Sequence, residues 1–323
     1  MSRPTSLARM RSILVLGLPR GGTTWIGRAL AATPDSVYVH EPDGVHEPFA
    51  FRARTRDRVT HYPAPSISAA LPEHERLWRG AFAGGRPAAS VRDRVARRTY
   101  AAVPAEVRRD ARETGKYPWR LRIALATAVP LTARTDVENV VVKSVNGALA
   151  ADWLADRFDP AVVIVTRDLR NVVASWRSIG LGAPGWDVYD EIRAEAARRW
   201  EVDIPPKGGP VERTATLCSV LLLALHDSAR RHPDWKWIVH EESTQDPDGT
   251  LKRVATELGL TWSSAAQEFV AGSNRPGTGY ATNRVAEDLP DQWKTRLDAT
   301  DVGVIEKVIE WFPSQLWDVA RRD

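Results

Sequence analysis

Gly17-Leu18-Pro19-Arg20-Gly21-Gly22-Thr23-Thr24-Trp25 stands between an apolar run and a helical pattern. The order is strand, glycine loop, helix. Glycines let backbone N–H groups close around an anion, and the N-terminus of the next helix adds partial positive charge. Thr23 and Thr24 add hydroxyl donors. The spacing of Gly17 and Gly22 mimics the nucleoside triphosphate loop G-x-x-x-x-G-K-S/T, but Thr23 takes the place of its Lys. The positive charge has moved forward to Arg20. Without that Lys, a grip on β- and γ-phosphates with magnesium is disfavoured. An Arg inside the loop suits one terminal anionic group.

Outward from this loop, apolar runs at 12–18, 36–40, 139–144, 161–167 and 235–240 read as buried parallel strands. Helical patterns at 23–32, 149–158, 171–178, 213–231 and 250–258 lie between them. This alternation predicts an α/β fold, a parallel β-sheet flanked by helices, with 1–323 as a single domain. Ligands of such sheets bind beyond the carboxyl ends of the strands. The stretch 49–130 has no clear strand: Pro63 and Pro65 are followed by Arg-rich helical segments, a mostly helical insertion. The stretch 182–210 reads as loop, with Trp186, Tyr189 and Trp200 among glycines and prolines. Both are candidates for an acceptor-binding lid. The arginines of the first would favour an anionic sugar or glycolipid, and the aromatics of the second would stack on a sugar or aromatic ring.

Bulk properties narrow the class. Of 323 residues, 43% are hydrophobic and 27% charged, with 45 basic and 41 acidic side chains giving a net charge of +4. These values are ordinary for a soluble globular protein. The near balance of charge argues against a nucleic-acid partner. The one cysteine, Cys218, permits no intramolecular disulfide and sits among Leu217, Val220 and Leu221 as a core thiol. The apolar runs 13–18 and 217–225 are too short for a membrane span, so no transmembrane segment is expected and the cytoplasm is the expected location.

A second anion loop follows the fourth predicted strand, Thr166-Arg167-Asp168-Leu169-Arg170-Asn171-Val172-Val173-Ala174-Ser175-Trp176. Arg167 lies at the strand's carboxyl end and Ser175 eight residues later on a helix, so a cationic fork and a hydroxyl can converge on one phosphate. Arg170 is either a further ligand or a surface residue at the helix start.

The two loops together resemble those of sulfotransferases that use 3′-phosphoadenosine 5′-phosphosulfate (PAPS). Leu18-Pro19-Arg20-Gly21-Gly22-Thr23-Thr24-Trp25 is similar to the family's P-K-S-G-T-T-W loop, with Arg20 as in carbohydrate sulfotransferases. The resemblance assigns Arg20, Gly21, Gly22, Thr23 and Thr24 to the 5′-phosphosulfate and Trp25 to stacking on adenine. Arg167 and Ser175 match the 3′-phosphate signature R-x-x-x-D-x-x-V-S, in which Asn171 replaces Asp and Ala174 replaces Val. Arg275-Pro276-Gly277 and Asp291-Gln292-Trp293-Lys294 faintly resemble the R-K-G and D-W-K elements that cover the nucleotide, making Arg275 a candidate third 3′-phosphate ligand. His240-Glu241 stands where many members have Tyr-Glu, which implies a contact of His240 on the adenine side.

The implied activity moves a sulfuryl group from PAPS to a hydroxyl or amine of a small-molecule or glycan acceptor, such as a carbohydrate, glycolipid or natural product. It leaves 3′-phosphoadenosine 5′-phosphate and needs no metal. The competing reading is a P-loop nucleotide kinase or nucleotidase. Where cytosolic members carry a catalytic His after a K-T-H strand end, this chain has Val142-Lys143-Ser144-Val145. His40-Glu41-Pro42 resembles the Glu-Pro after the second strand of several carbohydrate and bacterial members, so Glu41 is the nominated general base, with Lys143 nearby. The alternatives are His40 and Glu47. Strand alternation predicts that His40 faces away from Glu41.

Overall fold

The structure is a computed structural model and describes residues 10–88, 90–180, 182–276 and 290–316. The five apolar runs form five strands: β1 Arg11–Gly17, β2 Ser36–His40, β3 Asn139–Ser144, β4 Ala161–Thr166 and β5 Lys236–Val239. All pair in parallel, in the order β2-β3-β1-β4-β5. Leu14 of β1 is level with Val142 of β3 and Val162 of β4. Among the described residues, fourteen α-helices accompany the strands. They are α1 Thr23–Ala31, α2 Pro48–Asp57, α3 Pro72–Phe82, α4 Val91–Ala101, α5 Ala105–Thr114, α6 Trp119–Thr127, α7 Ala151–Phe158, α8 Leu169–Ser178, α9 Trp186–Trp200, α10 Pro210–Arg231, α11 His240–Gln245, α12 Pro247–Glu257, α13 Ser264–Ser273 and α14 Ala299–Glu310.

The sheet is covered on both faces, which is why its strands read as continuous apolar runs. Leu14, Leu16, Val140, Val142, Val162 and Ile164 pack with Trp153, Leu154, Val172 and Leu221 of α7, α8 and α10. The alternate residues Ile13, Val15, Val141, Val163 and Val165 pack with Ile26, Leu30, Leu251 and Val254 of α1 and α12. Thus α1, leaving β1, turns to one face, while α7 and α8, leaving β3 and β4, turn to the other. The chain parts at the carboxyl end of β1, where such sheets open a crevice.

Between β2 and β3 run α2 to α6; α2, α4, α5 and α6 form a third small core of Phe51, Tyr100, Val103, Ala111, Leu121 and Ala124, while Leu77, Trp78 and Phe82 of α3 join the main core. The predicted loop at 182–210 is corrected: α9 runs through it, with Tyr189, Ile192 and Ala196 buried. These positions lie one and two turns apart on one face. The glycines and prolines that suggested a loop flank the helix rather than interrupt it. Cys218 is fully buried in α10, and burial pushes its thiol up to about 12, as a core thiol requires. Among the described residues, no helix is long and apolar enough to cross a membrane.

Candidate active site

The crevice at the carboxyl end of the sheet holds a cleft of about 590 Å³. Its floor is the loop after β1. Arg20 and Gly22 both have left-handed backbones, with φ of 66° and 91°. Gly21 N–H closes the turn on Leu18 O at 2.9 Å, and Gly22 then caps α1. No acidic residue occupies the first turn of α1, so no carboxylate of that turn competes for its N–H groups. Thr23 and Thr24 line the cleft.

Gly22 is required for a second reason. A Cβ there would overlap the His240 ring, with Nε2 only 2.7 Å away. His240 is buried and has little room to retreat. Gly22→Ala is therefore expected to lower stability by roughly 1–3 kcal/mol through strain and overpacking, and to abolish tight nucleotide binding. Thermal unfolding with and without 3′-phosphoadenosine 5′-phosphate measures both. A variant as stable and as ligand-responsive as the parent would show that the loop does not need its present shape.

The second loop meets the first. Arg20 Nε donates to Ser175 Oγ at 3.1 Å, and Arg167 Nη1 donates to Arg20 O at 3.0 Å. Three residues assigned separately from sequence thus converge from β1, β4 and α8. Burial of the Arg167 guanidinium lowers its pKa to about 10, with the Glu241 carboxylate opposing that loss of charge. Its Nε is buried without a hydrogen-bond partner. Arg170 takes the structural role: it forks onto Asp168 at 3.1 and 2.7 Å and lies over the Trp293 ring.

Trp25 lines the same cleft. Its Nε1 donates to Ser273 Oγ at 2.7 Å, and its ring stands edge-on to His240. His240 is held neutral by burial and by the nearby Arg167 charge, and its Nδ1 has no partner. Arg275 is placed differently from expectation. It is exposed just beyond α13 and is not among the cleft-lining residues, whereas its neighbours Ser273 and Asn274 are. The chain turns there, with Arg275 N–H on Ser273 O at 2.9 Å. Gly277 of the same element lies outside the described residues.

At the other end, Glu41 lines the cleft and its carboxylate contacts Lys143 Nζ. Burial opposes the carboxylate charge, but Lys143 outweighs it and holds the carboxyl below its usual range. The expected separation of His40 from Glu41 is corrected, because both line the cleft. Glu41 has φ of 40°, so the strand ends in a left-handed turn and the alternation stops there. His40 keeps part of its surface in solvent and meets Tyr38 Oη at 3.2 Å through Nδ1, and the partial desolvation of its ring shifts its pKa down against the opposing Glu41 charge. Glu47 is engaged by Arg97 at 2.9 Å and does not line the cleft.

The insertion contributes otherwise than its composition implied. Of the described residues in 49–130, only Tyr62 lines this cleft, beside Val45 and Val145. Arg52, Arg56 and Arg76 bind Glu73, and Arg54 Nη1 donates to Asp43 O at 2.7 Å. These arginines fasten the insertion rather than face a ligand. The aromatics near α9 also lie elsewhere: Tyr189 Oη donates to Pro205 O, Trp200 Nε1 donates to Asp227, and Trp186 packs on Arg213.

A family model described as the sulfotransferase family matches residues 12–206, more than half of the chain and both anion loops. The chain belongs to the sulfotransferase family. No curated protein sequence matches this sulfotransferase. Among solved structures, it is similar to the sulfotransferase domain from the curacin biosynthetic pathway, at 13% identity and a TM-score of 0.46, covering 96% of this chain and 98% of that one. It is also similar to the sulfotransferase domain of the Synechococcus PCC 7002 olefin synthase, at 12% identity and 0.42, covering 97% and 99%. A sulfotransferase from Mycobacterium tuberculosis H37Rv matches at 18% identity and 0.43, covering 95% and 78%.

The cleft also contains residues that sequence reading passed over. Thr244, Val270, Ser273 and Asn274 line it beside Trp25, from α11, α13 and the turn after it. None lies in a glycine loop or at a charged motif, so no local signal marked them.

Proposed function

We propose that this sulfotransferase moves the sulfuryl group of PAPS to a hydroxyl of a small acceptor. The observation that carries the reading is the convergence of Arg20, Arg167 and Ser175, with a buried guanidinium N–H of Arg167 still unpartnered. A buried donor without a partner is costly, and an anionic ligand would satisfy it. The left-handed turn at Arg20 and Gly22, with no acidic residue in the first turn of α1 and with Thr23 and Thr24 lining the cleft, leaves the start of α1 open to an anion. The residues present therefore fit the donor nucleotide.

In this reading Thr23, Thr24 and the loop N–H groups hold the 5′-phosphosulfate, Arg167 and Ser175 hold the 3′-phosphate, and Trp25 covers the adenine. Bound PAPS supplies the sulfuryl group and a phosphate leaving group. Arg20 meets the negative charge that grows on the bridging oxygen as the bond from sulfur to that oxygen breaks. Glu41 takes the acceptor's proton as the new bond from sulfur to oxygen forms, and Lys143 keeps it ionised beforehand. Val45, Tyr62 and Val145 favour an acceptor with an apolar or aromatic body, as in a natural product, over a polyanionic glycan.

The test is nucleotide selectivity. Titration calorimetry is expected to show 3′-phosphoadenosine 5′-phosphate binding more tightly than AMP by roughly 1.5–3 kcal/mol, the worth of one charge-assisted contact set. Equal affinity for the two would remove the assignment of Arg167 and Ser175. Preference for ATP with magnesium would restore the kinase reading.

A further inference from the structure

The substitution of Asn171 for the Asp of the resembling signature has a structural counterpart elsewhere in the molecule. Asn171 is buried in the first turn of α8. Its Nδ2 donates to Glu241 Oε1 at 3.1 Å and to Pro290 O at 2.9 Å, while its Oδ1 accepts Trp293 N–H at 3.1 Å. Both amide hydrogens and the oxygen are used, and the reverse orientation would set oxygen against two acceptors. An Asp in this place has no hydrogen to give to either. It would put a second carboxylate against Glu241.

Glu241 is the other half. It lies at the start of α11, after β5, and is largely buried. The same Oε1 also accepts Asp168 N–H at 3.2 Å and stands 3.8 Å from Arg167 Nε. That separation is ionic rather than a hydrogen bond, and the Nε remains without a partner. One carboxylate oxygen thus fixes the backbone next to Arg167, holds Asn171, and faces the guanidinium.

We propose that Asn171 and Glu241 are a matched donor–acceptor pair that positions Arg167 for the 3′-phosphate, and that Asn171 ties the 290–293 segment to the same loop. Neither touches the ligand, so both are positioning residues. The proposal rests on the assignment of Arg167 to the 3′-phosphate. The pair explains why an amide stands at 171 in a chain whose neighbouring carboxylate is Glu241. It also explains why three elements distant in sequence meet behind one arginine.

Binding is measured by calorimetry for 3′-phosphoadenosine 5′-phosphate and, separately, for AMP, on the full chain. Asn171→Asp is expected to weaken the bisphosphate about tenfold or more while AMP moves by less than about twofold, because the lost positioning concerns the 3′-phosphate alone. In Asn171→Asp with Glu241→Gln the 171–241 hydrogen bond is restored with donor and acceptor exchanged, while the Pro290 carbonyl stays unpaired and the carboxylate facing Arg167 is lost, so bisphosphate affinity should recover in part, by about threefold or more over Asn171→Asp alone. Asn171→Ala serves if the Asp variant fails to fold; it should show the same selective loss, with no recovery on adding Glu241→Gln. Three results overturn the proposal: parental bisphosphate affinity in both Asn171 variants, no recovery in the exchanged pair, or equal losses for AMP and the bisphosphate. If the parent itself does not prefer the bisphosphate over AMP, the assignment of Arg167 fails first.

Discussion

Glu41→Gln is expected to stay folded, to bind 3′-phosphoadenosine 5′-phosphate as the parent does, and to lose roughly 10²–10⁴-fold in turnover. Gln keeps the size of the side chain and can still accept a hydrogen bond from Lys143, but it cannot take a proton. The ion pair with Lys143 sets the pH behaviour. Because the Glu41 carboxyl is held below its usual value of 4.5, its acid limb in the rate profile should lie below that pH, with the ionised form present throughout the neutral range. The same pairing reduces its basicity, which makes His40 the natural control. His40 lines the same cleft and is held neutral more readily than a free imidazole. Near-full turnover in Glu41→Gln together with a dead His40→Ala would move the proton acceptor by one residue. Loss of folding in Glu41→Gln would make the pair with Lys143 structural.

Arg20→Ala should lower turnover by roughly 10²–10³-fold, with a smaller change in nucleotide affinity. The charge Arg20 meets is largest in the transition state. The backbone makes this a clean substitution: Arg20 already has φ of 66°, so Ala inherits the strain rather than creating it. The carbonyl that receives Arg167 is also kept. Arg167→Ala is the contrast, weakening nucleotide binding first. Single-turnover rates beside equilibrium affinities separate the two, and the opposite pattern would exchange the roles of the loops.

What the sequence disclosed follows the range of the forces involved. The strand at 139–144 was legible to the residue because a strand buried on both faces is a run of apolar side chains, and the half-buried edge strand at 36–40 because Val37, Tyr38 and Val39 are strand formers. The loop from Gly17 to Thr24 was legible because its chemistry lies within eight residues of chain. Arg167 and Ser175 were legible by spacing along one strand and one helix. The orientation of His40 was not, since one left-handed residue at Glu41 cancels the alternation on which that reading depended. Helix α9 was hidden by its flanking glycines and prolines. The arginines of the insertion were visible, but their partners Glu73 and the Asp43 carbonyl belong to folded geometry, which composition does not encode. The ties of Asn171 to Glu241 and Pro290 span 70 and 119 residues, beyond any local pattern.

The parting of the chain at β1 has an evolutionary consequence. Glu41, Lys143, Val45 and Tyr62 come from β2, β3 and the segment between them, whereas Arg167, Ser175, His240 and Ser273 come from β4, β5 and the helices that follow. The central strand β1 and its loop stand between the two flanks of the sheet. Under the proposed function, substitutions that retool the β2–β3 flank for a new acceptor leave in place the residues assigned to the donor. A lineage with this layout can diversify what it modifies while inheriting unchanged what it modifies with.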